Sequence, residues 1–424
     1  MQKCFAFLLS FACVLGIASS SFAGTTAQPM KSHPIEATNF SFECVNGSTC
    51  GTNGTWITTS SQPGTVRLWD AGTSWAILNT GTNQYNWTNL DTWLDMVAAH
   101  QPTAVIFTFG HIPCFIASNC VVHGNGVYWA PGPPSDLNAN GSKTFTAFVT
   151  ALTTHCSAKG HCVKDYIKYW EMWNEPNLTH YWDGTVNQLY DTLKPVVPII
   201  RANVSGAVVL TPAICGGDQS YMSSWLSLEN TNGRISDYYS IHSYLSGYEP
   251  ETRINMIAKM VKAKNSAGWT NTPWVNTESN FEVTTDVCTS SKEDCEGQLV
   301  RWHVLQYAYQ GGAGGAYHVG WYNWPSIASG GYDTYYYTMM QWLTGGSFTA
   351  SCSNSGTVYT CPLTEANGHS ALIVWDSAGT SEYTPSTQYV DYKEFNGTYG
   401  GQTVNISGGE KTNIGLIPVM FETN

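Results

Sequence analysis

Tyr169-Trp170-Glu171-Met172-Trp173-Asn174-Glu175-Pro176-Asn177 reads as an aromatic strand that ends on a carboxylate. Pro176 cannot donate to a sheet ladder, so pairing stops there and Glu175 projects from the strand's carboxyl end. Its neighbours are rings, and a carboxyl in so dry a setting keeps its proton more readily than one in water, as a general acid must. A glutamate that merely closes a strand through a hydrogen bond would leave the same trace. Glu171 lies four residues earlier, on the same face by strand alternation; it reads as a structural salt-bridge residue, with support of the site as the alternative.

A second segment, Pro273-Trp274-Val275-Asn276-Thr277-Glu278-Ser279, delivers Glu278 in the same way. Working outward from the two, residues 35–344 repeat short apolar strand, polar loop and amphipathic helix, the pattern of parallel βα units. Strands are predicted at 37–43, 65–69, 103–109, 167–173, 207–212, 238–244, 274–278 and 315–321. Runs such as Ala104-Val105-Ile106-Phe107 suit strands covered on both faces. Eight such strands predict an α/β fold, a (β/α)8 TIM barrel, with an open doubly wound sheet as the alternative. On that count the two glutamates end the fourth and seventh strands. Opposed across a barrel mouth, they can lie about 5 Å apart, the separation used for double displacement with retention.

Between the strands, Leu90, Trp93, Leu94, Val97 and Ala98 recur at helical spacing, with Asn86 or Thr88 placed to cap the start. Helices are also predicted at 145–154 and 296–309. The helical period of 186–204 meets Pro195 and Pro198, which should kink or split it. A long irregular loop runs from Cys114 to Pro134 and reads as a groove wall. After Gly345-Gly346 the pattern turns to short alternating strands at 357–360, 371–375, 388–393, 402–406 and 413–421, separated by turn pairs such as Asn396-Gly397 and Gly408-Gly409. The expected division is a signal peptide at 1–23, a catalytic barrel at 24–345 and a β-sandwich at 346–424.

The signal is Lys3, the apolar run 4–17 and the small-residue end Ser21-Phe22-Ala23. It predicts a secreted or periplasmic protein, and no later stretch has the length of a membrane span. Of the 13 cysteines, Cys4 and Cys13 leave with the signal. Close spacing then pairs Cys44 with Cys50, Cys114 with Cys120, Cys156 with Cys162, Cys288 with Cys295, and Cys352 with Cys361, each bracketing a surface loop. Cys215 is left over. No pair has the spacing or clustered histidines of structural zinc, and no metal or other cofactor is expected. A net charge of −12 with only 18 Lys+Arg leaves no basic surface for nucleic acid. The 17 Trp, 24 Tyr and 15 Phe fill a core and also suit the apolar faces of sugar rings.

Asn174-Glu175-Pro176 after an aromatic strand, Glu278 three units later, Arg67 in Val66-Arg67-Leu68-Trp69-Asp70, His242 and Tyr244 two apart, and Trp321 together resemble clan A of the glycoside hydrolases. Within the clan, Arg67-Leu68-Trp69-Asp70 through Trp75, Tyr85-Asn86-Trp87, Thr108-Phe109-Gly110 and Tyr181-Trp182-Asp183-Gly184 are similar to family 39 and related bacterial polysaccharide glycosidases. The resemblance implies Glu175 as acid/base and Glu278 as nucleophile of a retaining glycoside hydrolase. It implies that Asn174 bonds the sugar 2-hydroxyl, that Arg67 and Tyr244 flank Glu278, and that His242 orients the acid/base. Trp321 becomes a sugar platform. Trp69, Asp70, His111, Trp182 and Trp324 are groove candidates for which packing or loop anchoring is the competing role. The implied partner is a poly- or oligosaccharide, handled by a monomer without nucleic acid or membrane. A transglycosylase would use the same glutamates, and a non-catalytic carbohydrate-binding barrel would not need the pair. No Gly-x-Ser-x-Gly elbow supports a serine hydrolase.

Overall fold

The computed structural model describes residues 40–43, 64–100, 104–117, 119–122, 128–282, 288–322, 327, 330–395 and 403–424. The signal segment, the Cys44/Cys50 pair, Trp324 and the Asn396-Gly397 turn lie outside them. Nine strands form the main sheet: β1 (Phe40–Glu43), β2 (Thr65–Leu68), β3 (Ala104–Thr108), β4 (Ile167–Glu171), β5 (Val208–Leu210), β6 (Ile214–Cys215), β7 (Tyr239–His242), β8 (Trp274–Ser279) and β9 (His318–Trp321). Every pairing is parallel, in the order β6-β7-β8-β9-β1-β2-β3-β4-β5. Each predicted strand of this region falls on an observed one, but the fifth, expected over 207–212, covers only Val208–Leu210, and a further piece, Ile214–Cys215, follows it after Thr211-Pro212-Ala213. The two pieces stand at opposite ends of the pairing path. Isolated parallel bridges, Asn174 to Ala213 and Leu210 to Tyr238, tie that segment to β4 on one side and to the start of β7 on the other.

The helices form for local reasons and bury one stripe each. Thr88–His100 sinks Leu90, Trp93, Leu94 and Val97 into the core, its start capped by Asn86 Oδ1, which accepts from the Thr88 amide at 3.1 Å. In Lys143–Thr154 the cap is the Ser142 hydroxyl, accepting from the Phe145 amide. Pro195 and Pro198 do split the next period, into Val186–Leu193, a 3-10 turn at Lys194–Val196 and Val197–Asn203. The helix Lys292–Ala308 differs: every residue from Cys295 to Ala308 is buried. A helix with no wet face has neighbours all round. Here they are the flanking helices Pro250–Ser266 and Asp333–Leu343, the main sheet through Asn276 and Trp321, and the C-terminal segment at Leu416.

Those strands make a seven-stranded sheet from Ser347–Phe348, Ser353–Ser355, Val358–Thr364, Ser370–Asp376, Asp391–Glu394, Thr403–Asn405 and Val419–Glu422, and a separate ribbon of Ser381–Tyr383 with Thr412–Ile414. The single strand predicted at 413–421 is two, in different sheets, because Gly415 to Pro418 turn between them. A small core of Val374, Tyr389, Ile414, Val419 and Phe421 joins the layers. On its other side the sheet shares the main core, through Ile373, Trp375 and Met420. Buried Arg301 binds Glu249, Glu251 and Asp294, and the Trp375 indole donates to Glu251 at 2.6 Å.

The helix meets the C-terminal segment closely at Gly297, where an added Cβ would lie 2.3 Å from the Leu416 carbonyl oxygen. Alanine in a helix interior normally gains about 1 kcal/mol over glycine, but an immovable backbone oxygen reverses the sign by roughly 1–3 kcal/mol of overpacking. Gly297→Ala is therefore expected to lower the thermal midpoint, measured by calorimetry; an unchanged or higher midpoint would show that the strands can move off the helix without cost.

The cysteine scheme holds in part. Cys114–Cys120, Cys156–Cys162, Cys288–Cys295 and Cys352–Cys361 are bonded. Cys215 is not left over: it is disulfide-bonded, and since the other described cysteines pair among themselves, its partner lies outside the described residues. Adjacency in sequence, which found the short-loop pairs, carries no information about such a bond.

Candidate active site

The carboxyl ends of β2, β4, β7 and β8 bring one charge from each strand to a common point. Arg67, at 1% exposure, is the hub. Its Nε and Nη2 donate to Glu171 Oε2 at 3.0 and 2.6 Å, its Nη1 donates to Glu278 Oε2 at 2.7 Å, and its Nη2 donates again to Asn174 Oδ1 at 2.7 Å. A guanidinium so buried is tolerable only because each fork meets an acceptor.

Glu171, at the end of β4, is fully sealed. Besides Arg67 it accepts from Thr108 Oγ1 at 2.9 Å, from Ser240 Oγ at 2.8 Å and from the Thr277 hydroxyl. Burial pushes its pKa up, but the Arg67 and His242 charges and the Thr277 and Arg67 hydrogen bonds outweigh it and hold the carboxyl below its ordinary value. Glu171 is thus an ionised floor beneath the site, and the salt bridge read from the sequence is present. Thr108, Ser240 and Thr277 were not foreseen: hydroxyl side chains inside a strand give no pattern that separates an interior acceptor's partner from a surface residue.

Glu175 and Glu278 stand above that floor and reach the surface, at 4% and 6% exposure. Glu175 follows β4 at a φ of 44°, left-handed backbone that costs a side-chain-bearing residue of order 1 kcal/mol. Its amide donates to Ala213 O and its carbonyl accepts from the Leu178 amide, both at 2.9 Å, which holds the turn. A slip in the β7/β8 register between Ile241 and His242 sets His242 opposite Glu278. His242 Nδ1 then lies 2.8 Å from Glu175 Oε1 and 3.6 Å from Glu278 Oε2. The Tyr244 hydroxyl donates to Glu278 Oε1.

Burial raises the Glu175 pKa; the His242 hydrogen bond and charge oppose the rise and the Glu278 charge adds to it. Burial lowers that of His242, but the Glu278 and Glu175 carboxylates overturn it and the net direction is up. One hydrogen bond joins the two groups, so both directions describe one proton held between them above the ordinary carboxylate range.

Glu175, His242 and Glu278 each bring one donor atom within 4.8 Å of the other two, a grouping that could also face a metal ion. Charge argues otherwise. Arg67 already supplies the positive partner of Glu278, and Tyr244 occupies its second oxygen.

The remaining predicted residues divide. Asp70 accepts from the Tyr322 hydroxyl at 2.6 Å and so ties the ends of β2 and β9. Trp69 packs 4.5 Å from the His111 ring and 5.6 Å from Tyr181, and His111 stacks on Trp129 at 3.4 Å. Trp182 is buried edge-on to Trp173, its indole donating to Thr185 O at 3.1 Å, a loop anchor. Trp321 departs from expectation: it is 0% exposed, between the rings of Phe281 at 5.0 Å and His303 at 5.5 Å. A ring with no exposed surface cannot be a sugar platform. The next residue, Tyr322, faces Tyr244 instead, with ring centroids 6.3 Å apart. Trp129 and Tyr322 are ring residues that the sequence reading did not single out, and Tyr181 stood there only as part of a motif.

No protein-family model matches the chain. In sequence it is 28% identical over 165 residues to a β-xylosidase of Geobacillus stearothermophilus, a match that spans 38% of this chain and 31% of that protein. In structure it is similar to a glucosidase from Croceicoccus marinus, with a TM-score of 0.62 at 11% identity over 93% of this chain and 98% of the other. It is also similar to a monomeric β-xylosidase from Caulobacter crescentus, with a TM-score of 0.56 at 14% identity over 93% and 97%. Enzymes of glycoside hydrolase families 30, 39 and 51 stand among the other solved neighbours. The fold is that of the clan A glycoside hydrolases. The likeness spans 93% of the chain and so is not confined to the main sheet.

Proposed function

We propose that the chain is a retaining glycoside hydrolase that cleaves O-glycosidic bonds of a poly- or oligosaccharide through a covalent glycosyl-enzyme intermediate. One observation carries the proposal: an oxygen of Glu175 and an oxygen of Glu278 lie within 4.8 Å of each other. Carboxyl pairs about 5–5.5 Å apart act by double displacement, whereas inverting pairs stand roughly 6.5–9.5 Å apart to admit a water.

The environments divide the labour. Glu278, held by Arg67 and Tyr244, is ionised and aimed, and attacks the anomeric carbon. Glu175, with a shared proton and a raised pKa, protonates the departing oxygen and then takes a proton from the incoming water. Asn174 gives its Oδ1 to Arg67, which turns the amide nitrogen outward to donate to the sugar 2-hydroxyl. Trp69, Asp70, His111 and Tyr322 line the approach, with Trp182 supporting it. The reaction needs no cofactor.

The pairing of segment 208–215 to both β4 and β7 supports a closed (β/α)8 barrel in which β5 and β6 are one fifth strand. We assign 24–345 to that barrel and 346–424 to a β-sandwich built against it. The bonded cysteines support export through the segment 1–23 to an oxidising compartment, and no described helix is long and apolar enough to cross a membrane. The enzyme acts as a monomer.

Proton NMR of early hydrolysis of a p-nitrophenyl glycoside series is the test. The first free sugar is expected to carry the anomeric configuration of the substrate; first appearance of the opposite anomer would exclude double displacement.

A further inference from the structure

The hydrogens around His242 can be counted one by one. Arg67 Nη2 has two, and both are used, on Glu171 Oε2 at 2.6 Å and on Asn174 Oδ1 at 2.7 Å. Its approach to His242 Nε2 at 3.4 Å is therefore not a hydrogen bond. The other neighbour of Nε2 is Thr277 Oγ1 at 3.1 Å. Thr277 has one hydrogen and two further neighbours, Glu171 Oε1 in a short contact and Ser240 Oγ at 3.0 Å; Ser240 spends its own hydrogen on Glu171 Oε1, and the ionised carboxylate takes that of Thr277. Two oxygen lone pairs would otherwise face each other there. Thr277 can thus only accept from His242, and Nε2 must carry a hydrogen.

We propose that Thr277 is a positioning residue that locks His242 in the Nε2–H tautomer and thereby sets the proton affinity of Glu175. With Nε2 occupied, a neutral imidazole turns its Nδ1 lone pair toward Glu175 Oε1, 2.8 Å away. In this neutral form the lone pair accepts from protonated Glu175 and repels the bare carboxylate, the reverse of what the charged imidazolium does to Glu175 and Glu171. Losing the proton to a leaving group is followed by a strong pull to take one back from water, as the second half of a retaining reaction requires. The charged groups facing the ring are Glu175, Glu278, Arg67 and Glu171; none supplies an acceptor to Nε2 in place of Thr277. This rests on the acid/base role proposed for Glu175.

Thr277→Val removes the acceptor and frees the ring to adopt Nδ1–H, which would donate to the Glu175 carboxylate and favour its ionised form. The basic limb of the kcat/KM pH profile is then expected to move down by about one pH unit, and Thr277→Ser to restore it. A basic limb in Thr277→Val that coincides with the parent's would overturn the proposal, as would a shift that serine fails to reverse. A second measurement needs no turnover. In 15N-histidine-labelled parent protein, the His242 resonances, assigned by their loss in His242→Asn, are expected to show a protonated Nε2 at pH 7 and above. An unprotonated Nε2 there, or a protonated Nδ1, would overturn the proposal even if glycosidase activity is found. Absence of any glycosidase activity beside a protonated Nε2 would instead fault the enzyme reading and leave the tautomer standing.

Discussion

Glu278→Ala is expected to reduce turnover of an activated aryl glycoside by roughly 10⁴- to 10⁶-fold, the range seen when one member of a catalytic unit is removed. Azide should restore a measurable part of it. The variant leaves a cavity the size of a carboxylate, still faced by the Arg67 Nη1 and Tyr244 hydroxyl donors that Glu278 had engaged. A small anion suits that cavity. Attack by azide from the vacated side replaces two displacements with one, so the product is a glycosyl azide of inverted configuration. The fold should survive, because Glu171 alone still neutralises Arg67, and circular dichroism will show whether it does. A folded Glu278→Ala protein that azide leaves inactive on a substrate with a good leaving group would remove Glu278 from the nucleophile's role.

The reach of sequence reasoning here follows from what each signal depends on. Strands such as Ala104–Thr108 and Trp274–Ser279 were legible because apolar runs of that length have few other uses. Glu175 and Glu278 were legible because each ends such a run, and Arg67 and Glu171 because a charge inside a strand demands a partner. The split at 211–213 was not, since the bridges on either side of it come from β4 and β7, far away in the chain. Hydroxyls are quieter still. Thr277 and Ser240 could have been surface residues of any strand, and only their hydrogen bonds to Glu171 Oε1 in the folded chain show that they complete a floor. Trp321 failed as a platform for a related reason: strand end and residue type were right, but a ring's two faces are assigned by neighbours such as His303 and Phe281, whose packing a periodicity cannot convey.

Glu175→Gln supplies the complementary outcome. The amide keeps the shape and can still meet His242, but it has no proton to give an oxygen with the basicity of an alkoxide. On an oligosaccharide the rate is expected to fall by about 10²- to 10⁴-fold, the usual contribution of a general acid. On a dinitrophenyl glycoside, whose leaving group departs without a proton, glycosylation should fall less than about tenfold on the same reasoning, so that the glycosyl-enzyme accumulates and is visible by mass spectrometry of the intact protein. Azide should then accelerate its breakdown and yield a glycosyl azide of retained configuration, because here the anion takes the place of the water and not of Glu278. The two variants therefore give azides of opposite configuration at the same carbon. If the stereochemistry were exchanged between them, the acid/base and nucleophile would be exchanged too. Arg67 and Tyr244 would then not select Glu278 as the ionised member of the pair, even though the retaining mechanism stood.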